Sequence, residues 1–208
     1  MTPELTRELA ESSIPIVFYD VPSPHPGIFN IHTIYKLGTE RIINYLHSLG
    51  HQRLAFIGHH SALSPTGERE KAFIEIVSHF TPSREWRTVT DQDGPEGGRR
   101  AARELLASGF RPTAIVCVND FMAIGVLREL RDQGLRIPED ISVTGFDNIK
   151  LSEFCYPQLT TAHVSRERIG HLVFDRLVPE AAKTPITGRQ VLIEPELVVR
   201  ESTGPAPG

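Results

Sequence analysis

The 208-residue chain is expected to fold as an α/β protein in which parallel sheet is covered by helices, and three observations carry that expectation. Short runs rich in β-branched and apolar residues alternate with stretches of helical period. Glycine, proline and Asx residues punctuate the changes from one to the other. One stretch, Thr113 to Gly145, reads without ambiguity as strand, helix, strand, the unit from which parallel sheets are built.

The elements follow in order. A polar, helix-prone start, MTPELTRELAESS, precedes a first strand, IPIVFYD, from Ile14 to Asp20. VPSPHPG is a loop, and a helix then runs from about Tyr35 to Leu49 with Leu37, Ile42, Ile43, Leu46 and Leu49 on one stripe and Gly50 as its stop. A strand at Arg53 to Gly58 leads to a helix near Gly67 to His79, a short strand around Trp86 to Thr90 and a helix from about Gly98 to Ser108. Strand Thr113 to Val118, helix Phe121 to Gln133 and strand Ile141 to Gly145 form the βαβ unit. A strand near Leu159 to His163, a helix from Ser165 to about Leu177 and the extended segment VLIEPELVV complete the pattern, and STGPAPG reads as a disordered tail.

Composition narrows the function classes. With 39% hydrophobic and 23% charged residues, and no apolar run long enough to span a bilayer, the chain is that of a globular protein with no membrane partner. No signal-peptide pattern opens it, so a cytoplasmic location is expected. The two cysteines, Cys117 and Cys155, lie in no ligand spacing and are expected to be free. A net charge of −4 offers no basic patch for nucleic acid. GxxxxGK[ST], GxSxG and HExxH are all absent, so no catalysis, cofactor or metal is expected. The glycines of DGPEGGRRAARELL lack GxGxxG spacing, which disfavours a phosphate cradle, and His59-His60 has no partner at metal spacing and reads as surface loop.

Ligands of open parallel sheets bind outside the carboxyl ends of the strands. The strands here end in Tyr19-Asp20, Gly58-His59-His60, Asn119-Asp120 and Phe146-Asp147-Asn148. Carboxylates and amides beside aromatic rings suit a polyhydroxylated ligand, whose hydroxyls donate and accept while its apolar face stacks on a ring. Bland roles stand beside these. Asn119 or Asp120 is equally suited to capping the helix that starts at Phe121; Asp147-Asn148 equally suits a turn. For Tyr19 and Asp20 a structural role is favoured. Arg69 lies in the first turn of its helix, where a cation opposes the dipole, so it is either a surface residue or one that faces a ligand.

GLRIPEDISVTGFDNIKLSEFCYPQLTTAHVSRERIG resembles the lactose-repressor (LacI/GalR) family of transcription regulators, which share a type I periplasmic-binding-protein-like fold. The likeness rests on Gly134 to Asp140, Gly145 to Asp147 and Pro157 to Thr161, on Asn119-Asp120 followed by Met122, Ala123 and Gly125, and on SLGHQRLAFIG from Ser48 to Gly58. It implies an effector-binding and homodimerising region with two lobes. By this resemblance 1–50 and 159–182 form a partial N-terminal lobe, 51–158 and 183–203 the C-terminal lobe, and 204–208 a disordered tail. The effector is expected to be a sugar or nucleoside-like molecule. Carried over by motif, Arg69, Asn119 and Asp147 contact it, with Asp120, Phe146 and Tyr35 around them. A solute-binding protein of a sugar transporter, which shares the fold, is the alternative. Two departures stand out: Ile34-Tyr35 where the family has aspartate-asparagine, and Val164 where it often has glutamine. The family's helix-turn-helix headpiece is also expected to be absent, leaving DNA reachable only through a segment outside this chain.

Overall fold

A computed structural model describes residues 3–12, 14–21, 25, 27–59, 64–79, 85–178 and 190–208. In chain order the helices are α1 (Pro3–Glu11), α2 (Tyr35–Ser48), α3 (Ser64–His79), α4 (Pro95–Ala107), α5 (Asp120–Asp132) and α6 (Arg166–Leu177). The strands are β1 (Val17–Tyr19), β2 (Phe29–Thr33), β3 (Leu54–His59), β4 (Trp86–Asp91), β5 (Ala114–Cys117), β6 (Ser142–Asp147), β7 (Thr160–His163), β8 (Gln190–Ile193) and β9 (Glu196–Val198). The chain divides into two compact units, Met1–Ile34 with Ser165–Glu194, and Tyr35–Val164 with Pro195–Gly208.

The smaller unit is built on a three-stranded parallel sheet, ordered β1-β2-β8. Its central strand alternates, with Phe29 and Ile31 buried on one side of the pleat. Asp20 joins the ends of β1 and β2: its carboxylate accepts from the Thr33 amide at 2.7 Å and the Thr33 hydroxyl at 3.1 Å. The structural role favoured for Asp20 is the one it has.

The larger unit carries a six-stranded sheet, ordered β4-β3-β5-β6-β7-β9, parallel throughout except that β9 runs antiparallel to β7. Its central strands read as unbroken apolar runs because they are covered on both sides. Ala55, Phe56, Ile57, Ile115, Val116, Cys117 and Val143 are all 2% exposed or less. Helix α2 packs with α3, and α4 with α5. The crossover through α3 runs outward from β3 to β4, whereas those through α4 and α5 run the other way, so right-handed connections put the two helix pairs on opposite faces.

The glycines of DGPEGGRR do their work in this packing. A Cβ on Gly98 would stand 2.1 Å from the Met122 carbonyl oxygen, one on Gly125 1.9 Å from that of Pro95, and one on Gly97 1.6 Å from that of Gln92. Helices α4 and α5 touch backbone to backbone, which no larger residue permits. Their outer seam is closed by Glu129, 1% exposed, which accepts from Arg103 at 2.9 and 2.8 Å, Gln133 at 3.0 Å and Arg99 at 3.3 Å. Those cations and amides hold its carboxyl down to about 2.

The two compact units differ from the expected lobe limits at three places. Helix α2 and strand β7 belong to the larger unit, not the smaller, because α2 packs on α3 and β7 pairs with β6. Residues 190–194 belong to the smaller unit, because β8 pairs with β2. VLIEPELVV is thus two strands in two sheets, parted at Pro195. The tail is not loose: His51 donates to or accepts from Thr113 at 3.1 Å and meets the Gly204 carbonyl at 3.0 Å, and the Ala206 amide donates to Leu49 at 2.8 Å. Strand β2, unforeseen in the sequence, occupies the stretch between the Pro- and Gly-rich loop and α2.

Candidate functional site

Four neighbouring strands of the larger sheet bring their carboxyl ends to one edge: β4 leads to Asp93, β3 ends in His59, β5 leads to Asn119 and β6 ends in Asp147. Arg69 reaches this edge from α3 and is 8% exposed. Its Nη1 donates to the Val118 carbonyl at 2.6 Å and its Nη2 to Asp147 Oδ1 at 2.9 Å. The guanidinium carbon lies 4.5 Å from the centre of the Tyr35 ring and 4.1 Å from that of Phe146, whose centres are 5.9 Å apart. The cation thus sits between two aromatic rings whose planes are inclined at 46°, an arrangement that lowers the cost of removing it from water. Among the described residues its Nε has no partner.

Tyr35 and Phe146 are therefore not the open stacking faces the sequence suggested. They are 4% and 2% exposed, and the surfaces they would offer a sugar ring are taken by Arg69. Phe146 is also pinned from behind, since a Cβ on Gly38 would come within 2.6 Å of its ring. Asp147 keeps a partly open side chain, 32% exposed. Its backbone φ is 102° and that of Asn148 50°, the left-handed region that side chains other than glycine avoid. The turn is over-determined: the Asn148 amide donates to Thr161 at 3.3 Å, Arg200 donates to Asn148 Oδ1 at 2.8 Å, and Asn148 meets the His163 ring at 3.1 Å.

Asn119 is the N-cap of α5 and more besides. Its Oδ1 accepts from the Met122 amide at 2.9 Å, while Nδ2 donates to Asp93 Oδ1 at 2.9 Å. Asp93 Oδ1 also accepts from the Gly94 amide at 2.8 Å and stands 3.6 Å from His59 Nε2, which in turn lies 3.4 Å from the Thr66 hydroxyl. Asp93 was not foreseen; nothing in DQDG separates it from an ordinary turn acid. His59 is fixed in this cluster, and His60 lies outside the described residues. Among the described residues no group of His, Cys, Asp and Glu is arranged to hold a metal ion.

Asp120 departs furthest from expectation. It is wholly buried, its Oδ1 accepting from the Thr161 hydroxyl at 2.6 Å and its Oδ2 from the Ile149 amide at 2.7 Å. Its carboxyl is the tie that fastens the turn after β6 to β7. Burial raises its carboxyl to about 7, against the pull of those two donors.

The chain matches the family model described as periplasmic binding protein-like domain over residues 43–203. The chain belongs to this family. Arg69, Asn119 and Asp147 lie inside the matched span and Tyr35 outside it. Within the family, it corresponds to the effector-binding region of LacI-type regulators. It is 31% identical over 195 residues to a probable HTH-type transcriptional repressor, ExuR, of Bacillus subtilis, covering 93% of this chain and 59% of that one. A LacI transcriptional regulator from a Rhodococcus species superposes with a TM-score of 0.87 at 26% identity, covering 100% of this chain and 76% of that one. A LacI-family regulator from Arthrobacter sp. FB24, solved in complex with lactose, superposes with a TM-score of 0.76 at 27% identity, covering 91% and 70%. The chain spans about half to three-fifths of the curated relatives it matches. Those relatives are transcriptional repressors, not enzymes, and among the described residues no helix is long and apolar enough to cross a membrane.

The buried Asp120 has a measurable signature. Folding raises its pKa from the ordinary Asp value to about 7, so the folded state holds a proton that the unfolded chain releases, and stability falls as pH rises from about 4 to about 7, by up to about 1.4 kcal/mol per pH unit. Asp120→Asn keeps an acceptor for the Ile149 amide, and its Nδ2 can donate to a Thr161 hydroxyl turned to accept, without that proton. The melting-temperature difference between wild type and Asp120→Asn is expected to move in the variant's favour between pH 5 and pH 8; a difference that stays constant contradicts the assignment.

Proposed function

We propose that this chain is the effector-binding and dimerising region of a LacI-type transcriptional regulator, and that a small polyhydroxylated ligand, a sugar or nucleoside-like molecule, binds at the carboxyl edge of its six-stranded sheet. The observation that carries the proposal is the Arg69–Asp147 pair. A nearly buried guanidinium, locked by a carbonyl and two rings, holds one carboxylate oxygen of a residue that is itself a third exposed and forced to positive φ. Strain of this kind persists where it aims a functional group. A carboxylate beside a fixed guanidinium offers a hydroxyl both an acceptor and charged donors, and charge-assisted hydrogen bonds contribute about 1.5–3 kcal/mol each.

In this reading Arg69, Asp147 and Asn119 touch the ligand, Tyr35 and Phe146 position Arg69, and Asp120 fixes the turn. No step of chemistry follows binding in this reading, Arg69 and Asp147 being already paired with each other. The solute-binding alternative has less support because the curated relatives are repressors.

Ligand binding raises thermal stability by mass action. A panel of aldoses and nucleosides, scanned by melting temperature and followed by calorimetry, is expected to contain at least one stabilising ligand. Asp147→Ala and Asp147→Gly both lower its affinity about 10- to 100-fold, while Asp147→Gly, free of the positive-φ strain, melts higher than Asp147→Ala. A ligand that stabilises wild type and both variants alike sinks the assignment.

For self-association the supporting feature is an apolar surface following the short 3-10 helix Lys150–Glu153: Leu151, Phe154 and Tyr156 are 54%, 72% and 76% exposed. Clustered exposed rings of this sort mark interfaces. Sedimentation equilibrium is expected to show a dimer that Phe154→Glu with Tyr156→Glu converts to monomer. A wild-type monomer at tens of micromolar contradicts it.

A further inference from the structure

The Asp93 cluster is separate from the Arg69–Asp147 pair and unabsorbed by it, although Asn119 follows directly on Val118, whose carbonyl Arg69 holds. Its geometry is that of an anchor with one side in use. Asp93 Oδ1 is saturated by the Gly94 amide and Asn119 Nδ2, with His59 Nε2 at 3.6 Å behind it. Asp93 Oδ2 accepts nothing from any described residue, and the side chain is 58% exposed. Asn119 Nδ2 has two hydrogens, of which Asp93 takes one; its Oδ1 is committed to the cap.

An exposed carboxylate oxygen beside an amide N–H with no partner among the described residues is complementary to a group that donates and accepts at once, which is what a hydroxyl does. An acidic group meets only the charge. The other two acids at this edge are neutralised, Asp147 by Arg69 at 2.9 Å and Asp91 by Arg100 at 2.5 Å, leaving Asp93, with His59 Nε2 at 3.6 Å, the one of the three without an arginine or lysine partner among the described residues. A ligand carboxylate brought there is repelled, and among the described residues the nearby guanidinium groups of Arg69 and Arg100 are already bound to Asp147 and Asp91.

We propose that Asp93, with Asn119, forms a second anchor that grips a hydroxyl of a neutral aldose and rejects the corresponding sugar acid. Asp93 follows β4, three strands from β6, but its carboxylate reaches Asn119 at the end of β5, the strand next to the one that ends in Asp147. Asn119 links them: it caps α5, orients Asp93 and presents its remaining N–H between the two. Discrimination of this kind comes from a built-in repulsive element as much as from an attractive one.

The inference rests on the effector-binding reading above, and the experiment separates their failures. Glucose and glucuronate, galactose and galacturonate, and ribose are titrated into the purified chain by calorimetry, for wild type, Asp93→Asn, Asp93→Ser and Asp147→Ala. At least one neutral sugar is expected to bind wild type at least tenfold more tightly than its acid counterpart. Asp93→Asn, which keeps the shape but not the charge, is expected to narrow that ratio at least tenfold, and Asp93→Ser to weaken the neutral sugar as well. With Asp93 this exposed, both variants are expected to melt within a few degrees of wild type. Neutral-sugar binding that Asp147→Ala abolishes but whose acid discrimination neither Asp93 variant changes overturns this inference alone; so does a sugar acid that binds wild type as well as its neutral partner. Absence of binding by all five sugars overturns the inference together with the reading beneath it.

Discussion

A buried cation must be answered on every side, and Arg69 is the cation around which this edge of the fold is arranged. Taking a guanidinium out of water costs several kcal/mol unless hydrogen bonds and opposite charge replace the solvent. Here a backbone carbonyl, a carboxylate and two aromatic faces do so. They come from three different elements: Val118 from the end of β5, Asp147 and Phe146 from β6, Tyr35 from the start of α2. The arginine, carried by α3, thereby fixes the relative positions of four segments at the place where a parallel sheet opens its strand ends. It also explains why Asp147 tolerates φ of 102°, since the pair offsets strain of about 1–3 kcal/mol that an unpartnered aspartate would relax.

Behind this pair stands a layer whose role is to hold it still. Asp120 and Thr161 clamp the backbone at Ile149, and Arg200, from the chain beyond β9, reaches Asn148 at 2.8 Å and the Leu159 carbonyl at 2.8 Å. On the other flank, the contact of α4 with α5 at Gly98 and Gly125 sets where α5 begins, and so where Asn119 stands. A side chain placed by its helix cap and its neighbours loses little freedom on meeting a ligand, so more of the interaction survives as affinity.

Much of this was legible in the sequence, because the signals were local. The apolar runs at Leu54, Ala114 and Ser142 and the stripe on α2 give their elements within a few residues, and Asn119 and Asp147 fall where strand ends must fall. What stayed hidden depended on contacts distant in the chain. Phe29–Thr33 shows the alternation of a strand but follows three prolines and no turn pair. VLIEPELVV contains nothing to say that Pro195 sends its halves to different sheets. Asp120 looks like its neighbour Asn119 until Thr161 and Ile149 are seen to enclose it. Tyr35 and Phe146 read correctly as aromatic company for a ligand site, but the ring faces went to Arg69, a residue 34 positions from one and 77 from the other. Asp93 had no signal of its own; only the order β4-β3-β5 in the sheet brings it within reach of Asn119.

The most direct measurement is the Nε–H resonance of Arg69 in a nitrogen-15 correlation spectrum, identified by its loss in Arg69→Lys. A guanidinium held as described gives a slowly exchanging Nε–H signal at neutral pH, and a stabilising sugar or nucleoside shifts it in proportion to the fraction bound. A ligand that saturates the protein by calorimetry while this signal stays unmoved, with perturbations confined to amides remote from Val118 and Asp147, would contradict the placement of the effector at this edge.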